Sequence, residues 1–188
     1  MTTLFWALVL GSLLPCFVRR PETNPSRTFA AWDRRVIFIR LAELATIFLF
    51  LGTVYVWRWS FPITRWEREA AAAGWVLTVT GLALIVWSRV ELGRFFSTTL
   101  GVKRDHQVIT GGPYRWVRHP MYTGFLALFA GGALVHNSGA ALALLAAPFW
   151  GFFYWQSVVE ERLLADRLGD AYCEYRARTG RLLPRLLG

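Results

Sequence analysis

A chain of 188 residues that is 55% hydrophobic, with ten Trp and fourteen Phe, carries more apolar surface than a soluble domain of its size needs, which points to a bilayer. The net charge of +9 does not indicate nucleic acid, because the arginines flank long apolar runs and form no single stripe. Cys16 lies in an apolar run and Cys173 in a polar tail, neither in a C-x-x-C nor a Cys/His spacing, so no disulfide and no metal site is implied.

Apolar runs occupy residues 2–18, 36–57, 71–92, 121–135 and 139–159, and all but the shorter fourth match a hydrocarbon core of about 30 Å. The first reads as a retained span, since no Lys or Arg precedes it and no small-x-small pattern follows Pro15. Arg40 and Glu43 fall one turn apart in the second, where they either pair on an interior face or serve function. Trp57, Trp59 and Trp66 read as an aromatic belt, while Trp116, Trp150 and Trp155 mark other interfaces or line a cavity. The last two runs are separated only by His136-Asn137-Ser138, which forces an antiparallel helical hairpin.

Sixteen basic residues in the first loop, the third loop and the tail face only Arg58, Arg65 and Arg68 on the other side. Lys- and Arg-rich loops stay inside, so the N-terminus is expected outside and the C-terminus in the cytoplasm, as an odd number of spans requires. The sequence thus predicts an all-α integral membrane protein with about five transmembrane helices and a C-terminal amphipathic cytoplasmic helix. No repeat or long linker divides it, so residues 1–188 read as one domain, with three N-terminal spans in 1–92 and a polar-rich core in 93–188.

Any active site should form where the polar segments 93–120 and 160–188 meet. The first contains Gly111-Gly112-Pro113-Tyr114, a turn signal, and then Arg118-His119-Pro120. Pro120 suits the first turn of a helix, leaving His119 near the cap, where free N–H groups can hold an anion. Arg118 and His119 can equally be interfacial charges. The second segment opens on Glu160-Glu161 and continues with Leu163, Leu164, Leu168, Tyr172 and Tyr175 at roughly helical spacing. A solvated face is expected for Glu161, whereas Glu160 faces the same headgroup region as His119.

In these segments the sequence resembles the isoprenylcysteine carboxyl methyltransferases and their prokaryotic relatives, which are akin to phospholipid methyltransferases. The matching residues are Leu92-Gly93-Arg94 with Ser97, the run from His106 to Tyr114, Arg118-His119-Pro120-Met121-Tyr122 with Gly124, and Glu160-Glu161 with Leu164, Gly169, Tyr172 and Tyr175, ending at Leu183-Pro184. R-H-P-x-Y-x-G followed about forty residues later by E-E-x-x-L is a specific combination. The resemblance implies a membrane methyltransferase that uses S-adenosyl-L-methionine without a Rossmann domain, and the chain has no G-x-G-x-x-G after a strand.

By position, the resemblance implies cofactor contacts from His106, Gln107, Val108, Ile109, Tyr114, His119, Pro120, Met121, Tyr122 and Glu160, with Arg118 and Glu160 as the catalytic pair. Gln156 is the expected acceptor contact, and the acceptor is lipophilic and enters from the bilayer. An ionised carboxylate acceptor needs no general base, whereas an amine or thiol must lose a proton, for which His119 or Glu160 is nearest. Gln156 stands where eukaryotic members have an Arg, and a neutral amide cannot replace a bidentate guanidinium unless Arg118 or Arg162 supplies the charge. Phe96 and Leu168 also depart from the family's Trp and Phe. Alternatives are a phospholipid or small lipophilic amine or thiol methyltransferase, a nicotinamide-dependent reductase of related hairpin, for which the chain is short, and a non-catalytic membrane scaffold. Oligomeric state is not legible.

Overall fold

The computed structural model describes residues 66–96, 106–144 and 148–185, with isolated helical positions at Ala45, Phe48 and Gly52. The first two predicted spans, with Cys16, Arg40, Glu43, Trp57 and Trp59, lie outside the described residues apart from those three positions. Helix α1 runs Glu67–Leu92, 26 residues that opened by Glu67 and Glu69 in the first turn complement the helix dipole. At 1.5 Å per residue it is about 39 Å long, more than a hydrocarbon core. It stops at Gly93, whose φ of +48° lets its N–H turn back to the carbonyls of Arg89 and Val90. Among the described residues, the stretch Glu67–Phe95 is the one long and apolar enough to cross a membrane.

Helix α2 runs Pro120–Val135 with proline in its first turn and His119 as N-cap, as the Arg118-His119-Pro120 spacing predicts. The buried positions of α1 are Gly74, Thr78, Gly81, Ile85 and Ser88, alternating steps of four and three that make one narrow seam. Gly74 lies against Gly131 and Val135, and Gly81 against Gly124 and Leu128, so the two helices run antiparallel. Their backbones approach closely. A Cβ on Gly81 would stand 2.6 Å from the Gly124 carbonyl oxygen, and one on Gly124 2.8 Å from that of Gly81. The opposite face of α1 exposes Val76, Val79 and Val90.

The chain reverses through His136-Asn137-Ser138, where Asn137 takes φ +49° and the Ser138 hydroxyl accepts the Ala141 N–H at 3.2 Å. Helix α3 follows over Gly139–Leu144, then α4 over Trp150–Leu168 and α5 over Asp170–Arg178. The core is Ile85 of α1, Leu128, Phe129 and Ala133 of α2, Ala141 of α3, and Phe149 and Phe153 at the start of α4. Trp116, Trp150 and Trp155 face outward. One expectation is corrected: no separate amphipathic helix opens at Glu160. Nothing between Trp150 and Leu168 breaks a helix, so α4 carries the glutamates onward until Gly169, at φ +59°, bends the chain into α5.

Because the α1–α2 seam leaves no room for a methyl group, Gly81→Ala and Gly124→Ala should each lower stability in detergent by about 1–3 kcal/mol. Gly151→Ala should be near neutral, since nothing lies within 4 Å of a Cβ there. Equal melting of the three variants would show the seam to be loose.

Candidate active site

The polar turn before α2 is set by contact with the end of α1. Gly112, at φ +51°, sits so close to α1 that a Cβ would stand 2.8 Å from Glu91 Oε2 and 2.9 Å from Trp87 Nε1. A single 3-10 turn, Gly112–Arg115, then buries Tyr114. The Tyr175 hydroxyl of α5 donates to the Tyr114 carbonyl at 2.7 Å. Beyond α5 the chain returns alongside this turn: Val117 and Gly180 form a parallel bridge, the Arg118 N–H donates to the Gly180 carbonyl at 2.8 Å, and the His119 N–H to the Arg181 carbonyl at 3.0 Å. Thr123 adds a hydroxyl bond to the Leu182 carbonyl at 2.6 Å.

Charged side chains converge on this seam. Glu161 is 2% exposed and accepts Arg118 Nε at 2.8 Å and both Arg181 Nε and Nη2, at 3.0 and 2.8 Å. The solvated face expected for Glu161 is therefore corrected, because its carboxylate is the buried partner of two guanidinium groups. Arg118 is engaged through two of its nitrogens, since its Nη1 also donates to the carbonyls of Arg176 and Thr179 at the end of α5. Glu160, the next residue, is partly exposed and accepts the Tyr122 hydroxyl at 2.5 Å. His119 lies between the two carboxylates, Nδ1 3.3 Å from Glu160 and Nε2 3.4 Å from Glu161, and stacks on Tyr122 with ring centroids 5.4 Å apart. The second approach is electrostatic only, as Glu161 Oε1 already accepts two arginine bonds.

Burial alone would raise the Glu161 pKa, but the nearby His119 imidazole and the bonds from Arg181 and Arg118 hold it well below the usual carboxylate range. Burial would likewise lower His119, yet Glu160 and Glu161 outweigh it and raise the imidazole above its ordinary 6.5. The signs of their linkage to folding are opposite. Glu161 contributes stability that is complete above pH 4.5 and lost as pH falls through its depressed value. His119 contributes below pH 6.5, and its share is lost as pH rises through the raised value.

Arg118 also borders a cleft of about 60 Å³. One wall is the extended loop of His106, Gln107, Val108 and Ile109, with Tyr114; the other is Leu164 and Leu168 of α4 and Tyr172 and Tyr175 of α5. The Tyr172 hydroxyl is buried and has no hydrogen-bond partner among the described residues. Burial pushes the phenols of Tyr172 and Tyr175 up, that of Tyr175 to about 12, so both remain neutral donors. The sequence-predicted residues thus fall into two groups. His106 to Ile109, Tyr114 and Arg118 line the cleft, whereas His119, Tyr122 and Glu160 form a cluster joined to it through Arg118. Pro120 is fully buried, Met121 packs on the apolar core, and Gln156 is buried one turn before Glu160. Residue 97 lies outside the described residues. Sequence reasoning missed Glu161 and Arg181, and gave no role to Leu164, Tyr172 and Tyr175, although the E-E-x-x-L motif and the tyrosine spacing were visible.

The model of the phospholipid methyltransferase family matches residues 70–171, more than half of the chain and the whole stretch from the α1–α2 seam to the start of α5. The chain belongs to that family. It is 33% identical over 97 residues to the protein-S-isoprenylcysteine O-methyltransferase of Schizosaccharomyces pombe, covering 50% of this chain and 41% of that protein. It is 29% identical over 195 residues to the methanethiol S-methyltransferase of Mycobacterium tuberculosis, covering 92% of this chain and 75% of the relative. Its fold matches that of a eukaryotic intramembrane Ras methyltransferase, isoprenylcysteine carboxyl methyltransferase, with a TM-score of 0.67 at 20% identity, over 97% of this chain and 64% of the other. The chain therefore spans less than half of the yeast relative and just under two thirds of the solved one.

Within this phospholipid methyltransferase family fold, Glu161→Gln leaves Arg118 and Arg181 without a counter-charge and should cost on the order of 3 kcal/mol at neutral pH. The variant should also lose most of the wild type's acid limb of stability. Denaturation followed across pH checks both, and an unchanged acid limb would remove Glu161 from its assigned place.

Proposed function

We propose that this protein is an integral membrane methyltransferase that uses S-adenosyl-L-methionine and acts on a lipophilic acceptor. The observation that carries the reading is the cleft between the His106–Ile109 loop and the α4–α5 tyrosines, lying against the His119–Glu160–Tyr122 cluster. Its residues suit parts of such a cofactor, and at about 60 Å³ the cleft must widen to admit it whole. Val108, Ile109, Leu164 and Leu168 offer apolar walls, Tyr114 and Tyr175 offer π-faces that attract a sulfonium, and the unpartnered Tyr172 hydroxyl offers a neutral donor. When bound, the cofactor supplies an electrophilic methyl group on sulfur.

The protein's share is positioning and exclusion of water, which can account for several kcal/mol of the barrier. Glu160, partly exposed and oriented by the 2.5 Å bond from Tyr122, takes a cofactor hydroxyl or amino group or the acceptor's proton. Arg118 acts as a positioning residue through Glu161. Residues 93–188 form the catalytic core and residues 1–92 complete the bilayer domain, with the charge bias supporting a cytoplasmic site. A reporter fused after the last residue should read cytoplasmic. The exposed valine face of α1 is the kind of surface that acyl chains cover.

A calorimetric titration with S-adenosylhomocysteine tests the cofactor reading. Tyr172→Phe should weaken binding about fivefold and Glu160→Gln roughly tenfold or more. Full affinity in both variants would move the cofactor elsewhere.

A second reading, a small thiol as acceptor, is favoured by Gln156, which is buried and neutral where a carboxylate acceptor would want a cation. The space beside it is filled: Tyr122, Phe125 and Phe149 all pack on the ring of Phe153 at 5.1–6.1 Å between centroids, leaving little room for a long prenyl chain. The methanethiol methyltransferase also matches 92% of this chain. Labelled methyl transfer to a short alkyl thiol should exceed that to farnesylcysteine, and Gln156→Arg should narrow the gap. Efficient methylation of the farnesyl acid by the wild type would exclude the thiol preference.

A further inference from the structure

A second cavity, about 430 Å³, opens on the other side of the Arg118–Glu161 pair. Helix α5 separates the two: Tyr172 and Tyr175 face the narrow cleft, while Cys173 and Arg176, on the adjoining face, line the larger cavity. Arg181 and Arg185 of the returning segment complete it, with Thr179 and Arg118 at its base. Its volume is in the range that holds small ligands. Among the described residues its lining contains no carboxylate.

Charge is unbalanced here. Arg118 and Arg181 share the single carboxylate of Glu161, so four guanidinium groups face one anion. Arg176 has no ion-pair partner among the described residues, and Arg185 reaches only the Ala177 carbonyl. Guanidinium forks clustered around an open cavity match the oxygens of a phosphate, which would supply the missing charge and bidentate acceptors. The surroundings select the source of that phosphate. The Arg181 guanidinium lies over the Tyr154 ring, 4.8 Å from its centroid, Leu183 packs on Gly180 in the cavity wall, and Tyr154 and Leu183 are each about half exposed or more. A basic pocket bordered by exposed aromatic and aliphatic side chains suits a molecule with a charged head and apolar tails.

We infer that this arginine pocket binds the phosphodiester headgroup of an anionic phospholipid, with its acyl chains over Tyr154 and Leu183. The site is distinct from the methyl-transfer cleft. It rests on the reading of the chain as a membrane protein and not on the methyl-transfer reading.

The test uses the purified full chain in neutral detergent micelles and counts retained phosphatidylglycerol and phosphatidylcholine by native mass spectrometry. The wild type should retain phosphatidylglycerol selectively. Arg176→Gln with Arg185→Gln should weaken that retention roughly ten- to a hundredfold. Arg162→Gln with Arg178→Gln removes the same charge from exposed positions outside the pocket and should change retention less than about twofold, as exposed charges contribute little. Melting temperature reports folding in both variants. Affinity for S-adenosylhomocysteine should be the same in both as in the wild type, so loss of cofactor binding throughout would count against the methyl-transfer reading alone. Equal weakening in the two double variants would reduce the effect to general surface charge and overturn the pocket. So would undiminished retention in the first, and inorganic phosphate binding as tightly as the lipid would assign the pocket to a free anion instead.

Discussion

The carboxylate of Glu161 holds the polar end of this molecule together. It stands on α4, takes Arg118 from the turn before α2, and takes Arg181 from the segment that returns after α5. Three stretches far apart in the chain therefore meet at one side chain. Removing such a group from water is costly, and the cost is offset by the opposite charges and three bonds of the two arginines. Arg118 then extends the arrangement by capping carbonyls at the end of α5, and the backbone bonds between residues 116–119 and 180–181 fix the height of that helix. Both cavities inherit their shape from this clasp, because each uses Arg118 as a wall.

The long helices were legible because their limits depend on local chemistry. Gly93 and Pro120 end α1 and begin α2 through positive φ and a missing N–H, and His136-Asn137-Ser138 turns the hairpin, all of which single residues announce. The assignment of Glu160 and Glu161 to faces was not legible. Adjacent helical residues point about 100° apart, so knowing that α4 passes this point does not say which glutamate turns inward. That depended on Arg181, twenty residues onward, arriving from the other side. The glycine seam was hidden for the same reason. Gly74, Gly81, Gly124 and Gly131 are plain in the sequence, but their pairing follows only from the antiparallel docking of two helices.

Family membership and the geometry constrain different things. The match over residues 70–171 covers the helix pair, the glycine turn and the glutamates, while Arg181 and the rest of the returning segment lie beyond it. Gln156 sits on the shared framework yet has a neutral side chain, one turn before Glu160 and beside a core of stacked aromatic rings.

The returning segment also sets an order of events in biosynthesis. Residues 179–182 leave the ribosome after every described residue that lines the cleft, and Arg118, His119 and Thr123 wait for their carbonyls. Until then Glu161 has only part of its counter-charge and α5 lacks its anchor. The helix pair can pack as soon as it is made, whereas the walls of the cleft are held in place only once the returning segment has followed them.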